Sequence, residues 1–181
     1  MRQRLKTTTV LVTHDQLEAI TLADRIVVMH DGIVEQIGTP LTLFDRPGNP
    51  IAAQSMGSPS MNVLKVLLRK SVGRVWVESQ AQPWSAGTTL QARDGQAVHY
   101  GVRPGDITEN APGMGAPAKV IVVGPVGAET KLKLQVGEEN IIVVMHGRTK
   151  ALPDGTEVSG FVNGHIRQFM KVGLTVDSVL A

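Results

Sequence analysis

A histidine lies two residues after a short apolar run near the start of the chain. The run from Thr8 to Val12 is rich in β-branched residues and apolar at successive positions, which is typical of a short strand buried in a parallel sheet. His14 would then lie just past the carboxyl end of the strand, at the edge where open α/β sheets bind ligands. Leu17, Ile20 and Ala23 follow at helical spacing. The sequence therefore predicts a strand whose carboxyl end places His14 at a ligand-binding edge, followed directly by a helix.

The composition indicates an ordinary globular chain of one large or two small domains. It has 181 residues, of which 42% are hydrophobic and 19% charged, and it has no cysteine for a disulfide or a thiolate metal site. No apolar run approaches the ~20 residues of a membrane helix, and no signal peptide is visible. The net charge of +2 comes without a dense basic run. We therefore expect a cytoplasmic protein whose membrane association comes through a partner.

Local signals predict a hairpin and short helices up to residue 56. The basic residues 1–6 are expected to be the last turn of a helix. Residues 25–30 and 33–37 are predicted to pair as strands across the turn Asp31-Gly32. Thr39 is predicted to cap a helix with Pro40 at its first position. The predicted helices cover residues 41–45 and 51–56.

The pattern changes after residues 57–60, whose Gly-Ser-Pro-Ser sequence indicates a linker. Short alternating or β-branched runs follow, with no helix longer than two turns. Short strands at this spacing favour a small barrel or sandwich. The predicted strands are 63–68, 73–78, 97–102, 119–123, 130–136, 140–145 and 157–162, with turns at 138–139 and 154–155.

The residues around His14 resemble the end of the nucleotide-binding domain of ABC transporters. The matching segments are Val-Thr-His-Asp-Gln at 12–16, Ala-Asp-Arg-Ile at 23–26 and Gln-Ile-Gly-Thr-Pro at 36–40. They look most like the ATPase subunits of carbohydrate importers of the maltose and glycerol-phosphate type, over most of residues 8–62. The resemblance implies that His14 is the switch histidine, which donates a hydrogen bond to the γ-phosphate of ATP and helps to orient the attacking water.

Two later motifs resemble signatures of the regulatory domain in these subunits. Gly-Val-Arg-Pro at 101–104 contains Arg103 and Pro104, and Gly-Ala-Glu at 127–129 contains Gly127 and Glu129. The resemblance implies an OB-type barrel, and the glycines and prolines allow the bends that close such a barrel. The resemblance also implies a structural role for Arg103 in the barrel, in which its guanidinium binds backbone carbonyls or a carboxylate.

The expected fold is an α/β remnant of an ABC nucleotide-binding domain followed by an all-β, OB-type barrel. The remnant comprises residues 1–56, and the linker comprises residues 57–62. The linker ends in the Met-Asn that resembles the opening of the regulatory domain, which comprises residues 63–181. The resemblance implies a C-terminal regulatory and dimerisation portion that couples ATP hydrolysis to solute uptake in the full-length subunit. Its implied partners are a second copy, the transporter membrane subunits and a regulatory protein, at the inner face of the cell membrane.

Motifs that hold ATP and magnesium are missing from this sequence. It contains no phosphate loop with Gly-Lys-Ser/Thr, no Leu-Ser-Gly-Gly-Gln signature and no apolar strand ending in Asp-Glu. We therefore expect no cofactor in this chain and no ATP hydrolysis by it alone, with ATP and Mg bound in the full-length subunit. Six apolar side chains would lack their partners and favour dimerisation: Leu11, Val12, Leu17, Ile20, Ile26 and Val28.

Two other functions stay open on the sequence. A free-standing oxyanion sensor could draw charge from Arg103, Lys119 and Lys131, since related OB-type segments bind oxyanions. Nucleic-acid binding is disfavoured, because only 3% of the residues are aromatic and few side chains are available for bases to stack on. The scattered histidines indicate structural or surface roles rather than a metal site; they are His30, His99, His146 and His165. The core is expected to contain Trp76, Trp84, Tyr100 and Phe161.

Overall fold

The computed structural model describes residues 8–71, 74–79, 82–85, 93–107, 117–147, 157–159, 167–170 and 174–175. The expected helix at residues 1–6, the turn at 154–155 and the end of the strand predicted at 157–162 lie outside these ranges. In the part of the chain that is described, no helix is both long and apolar enough to cross a bilayer.

Three short helices and a hairpin form the N-terminal segment, as predicted to within a residue or two. Each helix begins at a side chain that accepts a hydrogen bond from a backbone N–H two or three positions into the helix. These capping residues are Asp15, Thr39 and Asn49, and Pro40 and Pro50 open the last two helices. The elements are α1 (Gln16–Leu22), β1 (Ile26–His30), β2 (Ile33–Gly38), α2 (Pro40–Asp45) and α3 (Pro50–Ser55).

The predicted turn between β1 and β2 is confirmed. Asp31 and Gly32 both have positive φ angles, 48° and 78°. Two consecutive left-handed residues match the right-handed twist of antiparallel strands, and Asp-Gly is favoured there. Ile26 consequently lies opposite Gly38, and His30 lies opposite Ile33.

The prediction of a buried strand at residues 8–12 is wrong. This segment forms no strand, and Val10 and Val12 are 88% and 94% exposed. A strand buried in a parallel sheet needs neighbours at both edges, and the described residues provide no sheet for it. The apolar sequence of residues 8–12 suits a buried strand, but such a strand forms only when neighbouring strands are available to pair with it.

Half of the six apolar side chains expected to lack partners do pack within the chain. Val28 is buried with Leu43 and Met56, and Ile20 and Ile26 pack against this small cluster. The expectation is therefore corrected for Ile20, Ile26 and Val28. The other three are exposed, as expected: Leu11 at 53%, Val12 at 94% and Leu17 at 74%.

The rest of the described chain is built of antiparallel strands in two sheets. A six-stranded sheet has the order β12-β11-β6-β3-β4-β5, and a four-stranded sheet has the order β10-β7-β8-β9. The six-stranded sheet contains β3 (Asn62–Ser71), β4 (Arg74–Ser79), β5 (Gln82–Ser85), β6 (Ala97–Val102), β11 (Arg167–Met170) and β12 (Leu174–Thr175). The four-stranded sheet contains β7 (Pro117–Val126), β8 (Glu129–Val136), β9 (Glu139–His146) and β10 (Glu157–Ser159).

The sequence located seven of these ten strands and missed β5, β11 and β12. Strand β5 contains Pro83, which argues against a strand but is tolerated because β5 is at the edge of its sheet. The turn predicted at 138–139 lies one residue earlier, at Gly137 and Glu138. After residue 61, the one helical element in the described residues is a 3-10 turn at Pro104–Asp106.

The main core lies between the two sheets. Alternate residues of both sheets point into it, including Leu64, Val66 and Tyr100 from one sheet and Leu132 and Leu134 from the other. Tyr100 is 1% exposed, as predicted, and burial raises the pKa of its phenol. Trp76 is only half-buried, which corrects its assignment to the core, while the side chains of Trp84 and Phe161 lie outside the description. The strands described here form two open sheets, and their pairings do not close a barrel.

Candidate functional site

His14 lies on the exposed segment that leads into α1. The next residue, Asp15, caps the helix: its Oδ1 accepts from the N–H of Glu18 at 3.0 Å, and its own N–H donates to Oγ1 of Thr13 at 3.0 Å. The helix predicted after His14 is therefore present. The ligand-binding sheet edge predicted before it is wrong for the described chain, because residues 8–12 form no strand. His14 is consequently an exposed imidazole held one residue before a helix cap.

Arg103 is the most highly connected of the predicted site residues. It follows β6 directly and is 8% exposed. Its Nη1 donates to the carbonyl oxygens of Ala53, at 3.2 Å, and Met56, and its Nη2 donates to that of Phe44 at 2.8 Å. These bonds confirm the expectation that the guanidinium binds backbone carbonyls. One side chain from the β-rich region thus binds both α2 and the end of α3.

The position of these carbonyls explains why an arginine suits the site. The last carbonyls of a helix have no partner within it, and Phe44, Ala53 and Met56 lie at or near the ends of α2 and α3. A planar guanidinium can serve several acceptors at once and stays charged at every ordinary pH. The charge also lies 4.1 Å from the centroid of the Phe44 ring, within cation–π range.

The backbone beside the guanidinium leaves little room for a side chain. Gly57 has a φ of 108°, and a Cβ placed there would lie 3.0 Å from Nη1 of Arg103 and 3.3 Å from Cε2 of Phe44. Glycine therefore serves two purposes at this position, since it adopts the left-handed conformation and allows the close approach. Pro104, the other residue of the motif, is buried and begins the 3-10 turn that follows.

A second polar contact joins β2 to the loop between α2 and α3. Nε2 of Gln36 donates to the carbonyl of Arg46 at 2.9 Å, and its Oε1 accepts from the N–H of Gly48 at 2.6 Å. Asn49 donates through Nδ2 to Oε2 of Glu35 at 2.7 Å while its Oδ1 caps α3. The hairpin and the two helices are therefore linked by side chains as well as by the apolar cluster.

Asn62 joins the two sheets. Its Nδ2 donates to the carbonyl of Ile142 at 2.8 Å, and its Oδ1 accepts from the N–H of Ile142 at 2.8 Å. The carboxamide thus takes the place of a strand neighbour at the edge of the four-stranded sheet, where β9 would otherwise leave backbone groups unpaired. Asn62 is 8% exposed, and its strand partner in β6 is Val102, the residue before Arg103.

Gly127 and Glu129 lie at a different place, the turn between β7 and β8. Gly127 has a φ of 63° and open space around its Cα. Oε1 of Glu129 lies 4.0 Å from Nδ1 of His146, whose side chain is 85% exposed, so this contact is long and solvated. The two signature motifs therefore belong to different sheets, one buried at the helices and one exposed at a hairpin.

The structure does not assemble the charged groups expected of an oxyanion sensor. Both terminal nitrogens of Arg103 are bound to carbonyl oxygens. Lys119 lies opposite Gln135, whereas Lys131 lies opposite Gly124, four positions along the same strand pair. Four positions along a strand span roughly 13 Å, so the two lysines are not neighbouring positions in this strand pair.

Among the described residues, no group of three or more His, Asp or Glu side chains is placed to hold a metal ion. His30 and His146 are exposed, His99 is half-buried, and His165 lies outside the description.

Sequence reasoning missed the roles of Gln36 and Asn62. The Met-Asn pair at residues 61–62 resembles the opening of the regulatory domain, but nothing local indicates that the carboxamide reaches a strand 80 residues away. Gln36 gave one available signal, because it and Glu35 interrupt the apolar residues of the predicted strand.

No family model matches the chain. It is 46% identical over 155 residues, 84% of its length, to an ABC transporter ATP-binding protein of Sinorhizobium fredii, covering 41% of that protein. It is 37% identical over 178 residues, 96% of its length, to an sn-glycerol-3-phosphate import ATP-binding protein of Rhizobium johnstonii, covering 45% of it. A Brucella abortus protein of the same description is 31% identical over 99% of the chain, which covers 46% of that protein.

The chain thus spans somewhat under half the length of these relatives. Its similarity to them extends over almost the whole of its own sequence, both the helical segment and the β-rich region. The chain is therefore a homologue of part of the ATP-binding proteins of ABC transporters.

Proposed function

We propose that this chain is the C-terminal regulatory and dimerisation portion of an ABC sugar-importer ATP-binding subunit, which couples ATP hydrolysis to solute uptake. The observation that carries the proposal is its similarity, over 96% and 99% of its length, to two sn-glycerol-3-phosphate import ATP-binding proteins. The chain is β-rich after residue 61, and the helical segment before it has a separate small core. These features support a division into residues 1–56, the linker 57–62 and a regulatory domain 63–181.

The contact between Asn62 and Ile142 supports an OB-type regulatory domain. It joins the start of β3 to the edge strand of the other sheet. In a small barrel, neighbouring sheets have to be joined along their edges, and a side chain at that place joins β3 to β9. In the proposed domain, Arg103 and Pro104 fix its attachment to the helices, and Gly127 and Glu129 form an exposed hairpin suited to contact with a regulatory protein.

His14 is proposed as the switch histidine of the complete subunit. It is exposed and lies directly before α1, so its imidazole is accessible to a nucleotide held by other residues. The sequence here has no phosphate loop, and ATP and Mg would be bound by the rest of the subunit. A neutral imidazole N–H can donate to a γ-phosphate oxygen, which is the role proposed for His14.

An exposed apolar surface supports contacts with other subunits. The hairpin and α2 expose large side chains that a monomer would normally bury: Val27, Met29, Ile33, Val34, Ile37 and Leu41. Together with Leu11, Val12 and Leu17, they favour association with the rest of the subunit, with a second copy and with the membrane subunits. The protein would then lie at the inner face of the cell membrane through those subunits.

The assignment is tested by the DNA upstream of the coding sequence and by the activity of the protein it encodes. We expect an in-frame or once-frameshifted phosphate loop and signature motif. In the complete subunit, His14→Ala should abolish most ATP hydrolysis, whereas His30→Ala, also exposed, should not. The 181-residue chain alone should release no phosphate from ATP. Hydrolysis by the isolated chain that depends on His14 would contradict the proposal.

Dimerisation is tested by sedimentation equilibrium of the chain at tens of micromolar. An isologous dimer is the commonest arrangement of two copies. The double variant Val12→Lys/Leu17→Lys removes the exposed N-terminal apolar groups, and Val122→Lys/Ile142→Lys does the same on the four-stranded sheet, where these residues are 52% and 37% exposed. We expect the second pair to weaken the dimer more, because the regulatory domain is proposed to carry much of the interface. A monomeric wild-type chain would contradict the dimer.

A further inference from the structure

Two of the contacts described above lie on neighbouring residues of one strand pair. Asn62 is the strand partner of Val102, and Arg103 follows Val102 directly. From this one end of the six-stranded sheet, Asn62 binds the four-stranded sheet and Arg103 binds the helices. The two side chains therefore connect three parts of the molecule.

The helical side of this connection extends to the hairpin. Arg103 holds the carbonyls at the ends of α2 and α3, and the loop between these helices is held by Gln36 through Arg46 and Gly48. Leu43 of α2, fully buried, packs against Val28 of β1. Both polar and apolar contacts therefore join the hairpin to the helix ends.

The side of this connection that Asn62 forms extends to strand β9. The carboxamide of Asn62 makes two hydrogen bonds of 2.8 Å to the same residue, Ile142, which fixes both distance and orientation. The 3-10 turn that follows Arg103 also packs against β9. The end of β6 is thus linked to the edge of the four-stranded sheet by two sets of contacts.

We propose that Arg103 and Asn62 are positioning residues that couple the hairpin and helices at residues 26–56 to strand β9. Packed contacts with two discrete arrangements carry coupling through a protein, but a contiguous series of contacts is only a candidate until coupling is measured. The proposal concerns the mechanics of this chain and does not depend on its transport function.

The test is amide hydrogen exchange of the whole chain, followed residue by residue by NMR. Arg103→Lys keeps the charge but loses the planar fork, and Asn62→Ala removes the carboxamide. We expect Arg103→Lys to increase the exchange rate of the Ile142 amide by about tenfold, the effect of losing one charged hydrogen bond. Coupling is reciprocal, so Asn62→Ala should accelerate exchange at Gly48, whose N–H binds Gln36.

Matched controls separate coupling from general destabilisation. Arg25→Lys and Asn140→Ala change exposed residues of the same types and should leave both amides unchanged. The amide of Leu134, in the central part of the buried core, reports global opening and should change less than Ile142. Equal acceleration at Leu134 and Ile142 would overturn the proposal, because it would show unfolding of the whole domain.

The double variant gives the decisive comparison. If the two residues act along one connection, the effect of Arg103→Lys on Ile142 should largely vanish in the Asn62→Ala background. Independent, multiplied effects would overturn the proposal. Should Arg103→Lys fail to fold, Phe44→Leu removes the ring beside the guanidinium and leaves its carbonyl, and a smaller acceleration at Ile142, about threefold, is expected. No change at Ile142 in that variant would equally overturn it.

Discussion

Arg103 binds Phe44 through both the side chain and the backbone of that residue. Its Cζ lies 4.1 Å from the centroid of the ring, and its Nη2 donates to the carbonyl oxygen at 2.8 Å. The ring covers one face of the guanidinium while the carbonyls occupy its edge, so the charge is buried with compensation on two sides. Through these contacts, Arg103 attaches the β-rich region to the end of α2.

Replacement of Arg103 by lysine should destabilise the fold although the charge is kept. An ammonium cannot reach the carbonyls of α2 and α3 with the geometry of the fork, so at least one buried acceptor loses its bond. We expect the free energy of unfolding to fall by about 2–3 kcal/mol, measured by urea denaturation. Arg25→Lys, at an exposed position, should change it by less than about 0.5 kcal/mol. Equal midpoints for the two variants would contradict this assignment.

Asn62→Ala should destabilise the contact between the two sheets. The variant leaves the N–H and the carbonyl of Ile142 without their protein partner, and the expected loss is about 2 kcal/mol. Asn140→Ala, on the exposed side of β9, serves as the control. A loss no greater than that of the control would mean that water replaces the carboxamide at little cost.

Local signals were sufficient where the structure depends on a few adjacent residues. The cap at Thr39 with Pro40 behind it and the Asp31-Gly32 turn each need only their own neighbours, and all lie where the sequence predicts. The strands that alternate clearly, such as 97–102, were likewise found with correct bounds.

The site could be predicted only in part, because its contacts join residues far apart in the chain. The sequence indicates that Arg103 binds carbonyls, but its acceptors at Met56 and Phe44 lie 47 and 59 residues earlier. The run at 8–12 fails for the opposite reason, since its composition is right for a strand but the described chain offers no neighbouring strand. Both outcomes depend on which residues come close together in the folded chain, and a local sequence pattern does not contain that information.

We expect glycine to be required at position 127 because of its left-handed backbone conformation, and not because neighbouring atoms leave no space for a side chain. Its φ is 63° and nothing lies within 4 Å of the position of a Cβ, so Gly127→Ala should cost about 1–2 kcal/mol from backbone strain alone. Gly105 also has open space but no positive φ. Gly105→Ala should therefore be neutral or stabilise the fold by up to about 1 kcal/mol. Thermal unfolding of both variants would distinguish them, and equal effects would show that the left-handed conformation is not the reason for the glycine.

Tyr100 should make the fold less stable at alkaline pH. Burial raises the pKa of its phenol above the ordinary value of about 10. Above that pH the unfolded chain releases the proton while the folded chain keeps it, so the folded state binds more protons. The stabilising difference is fully present below about pH 10 and is lost as the pH rises, at up to about 1.4 kcal/mol per pH unit.

Tyr100→Phe removes the titrating group and isolates its contribution. The difference in unfolding free energy between wild type and variant should be constant near pH 8 and should shift in favour of the variant above about pH 10. Tyr100 is the one tyrosine in the chain, so the ultraviolet absorbance of tyrosinate reports its ionisation directly. In the folded protein this absorbance should rise only together with unfolding. Ionisation near pH 10 while the fold is intact, with a constant difference between the two proteins, would show that the phenol reaches water.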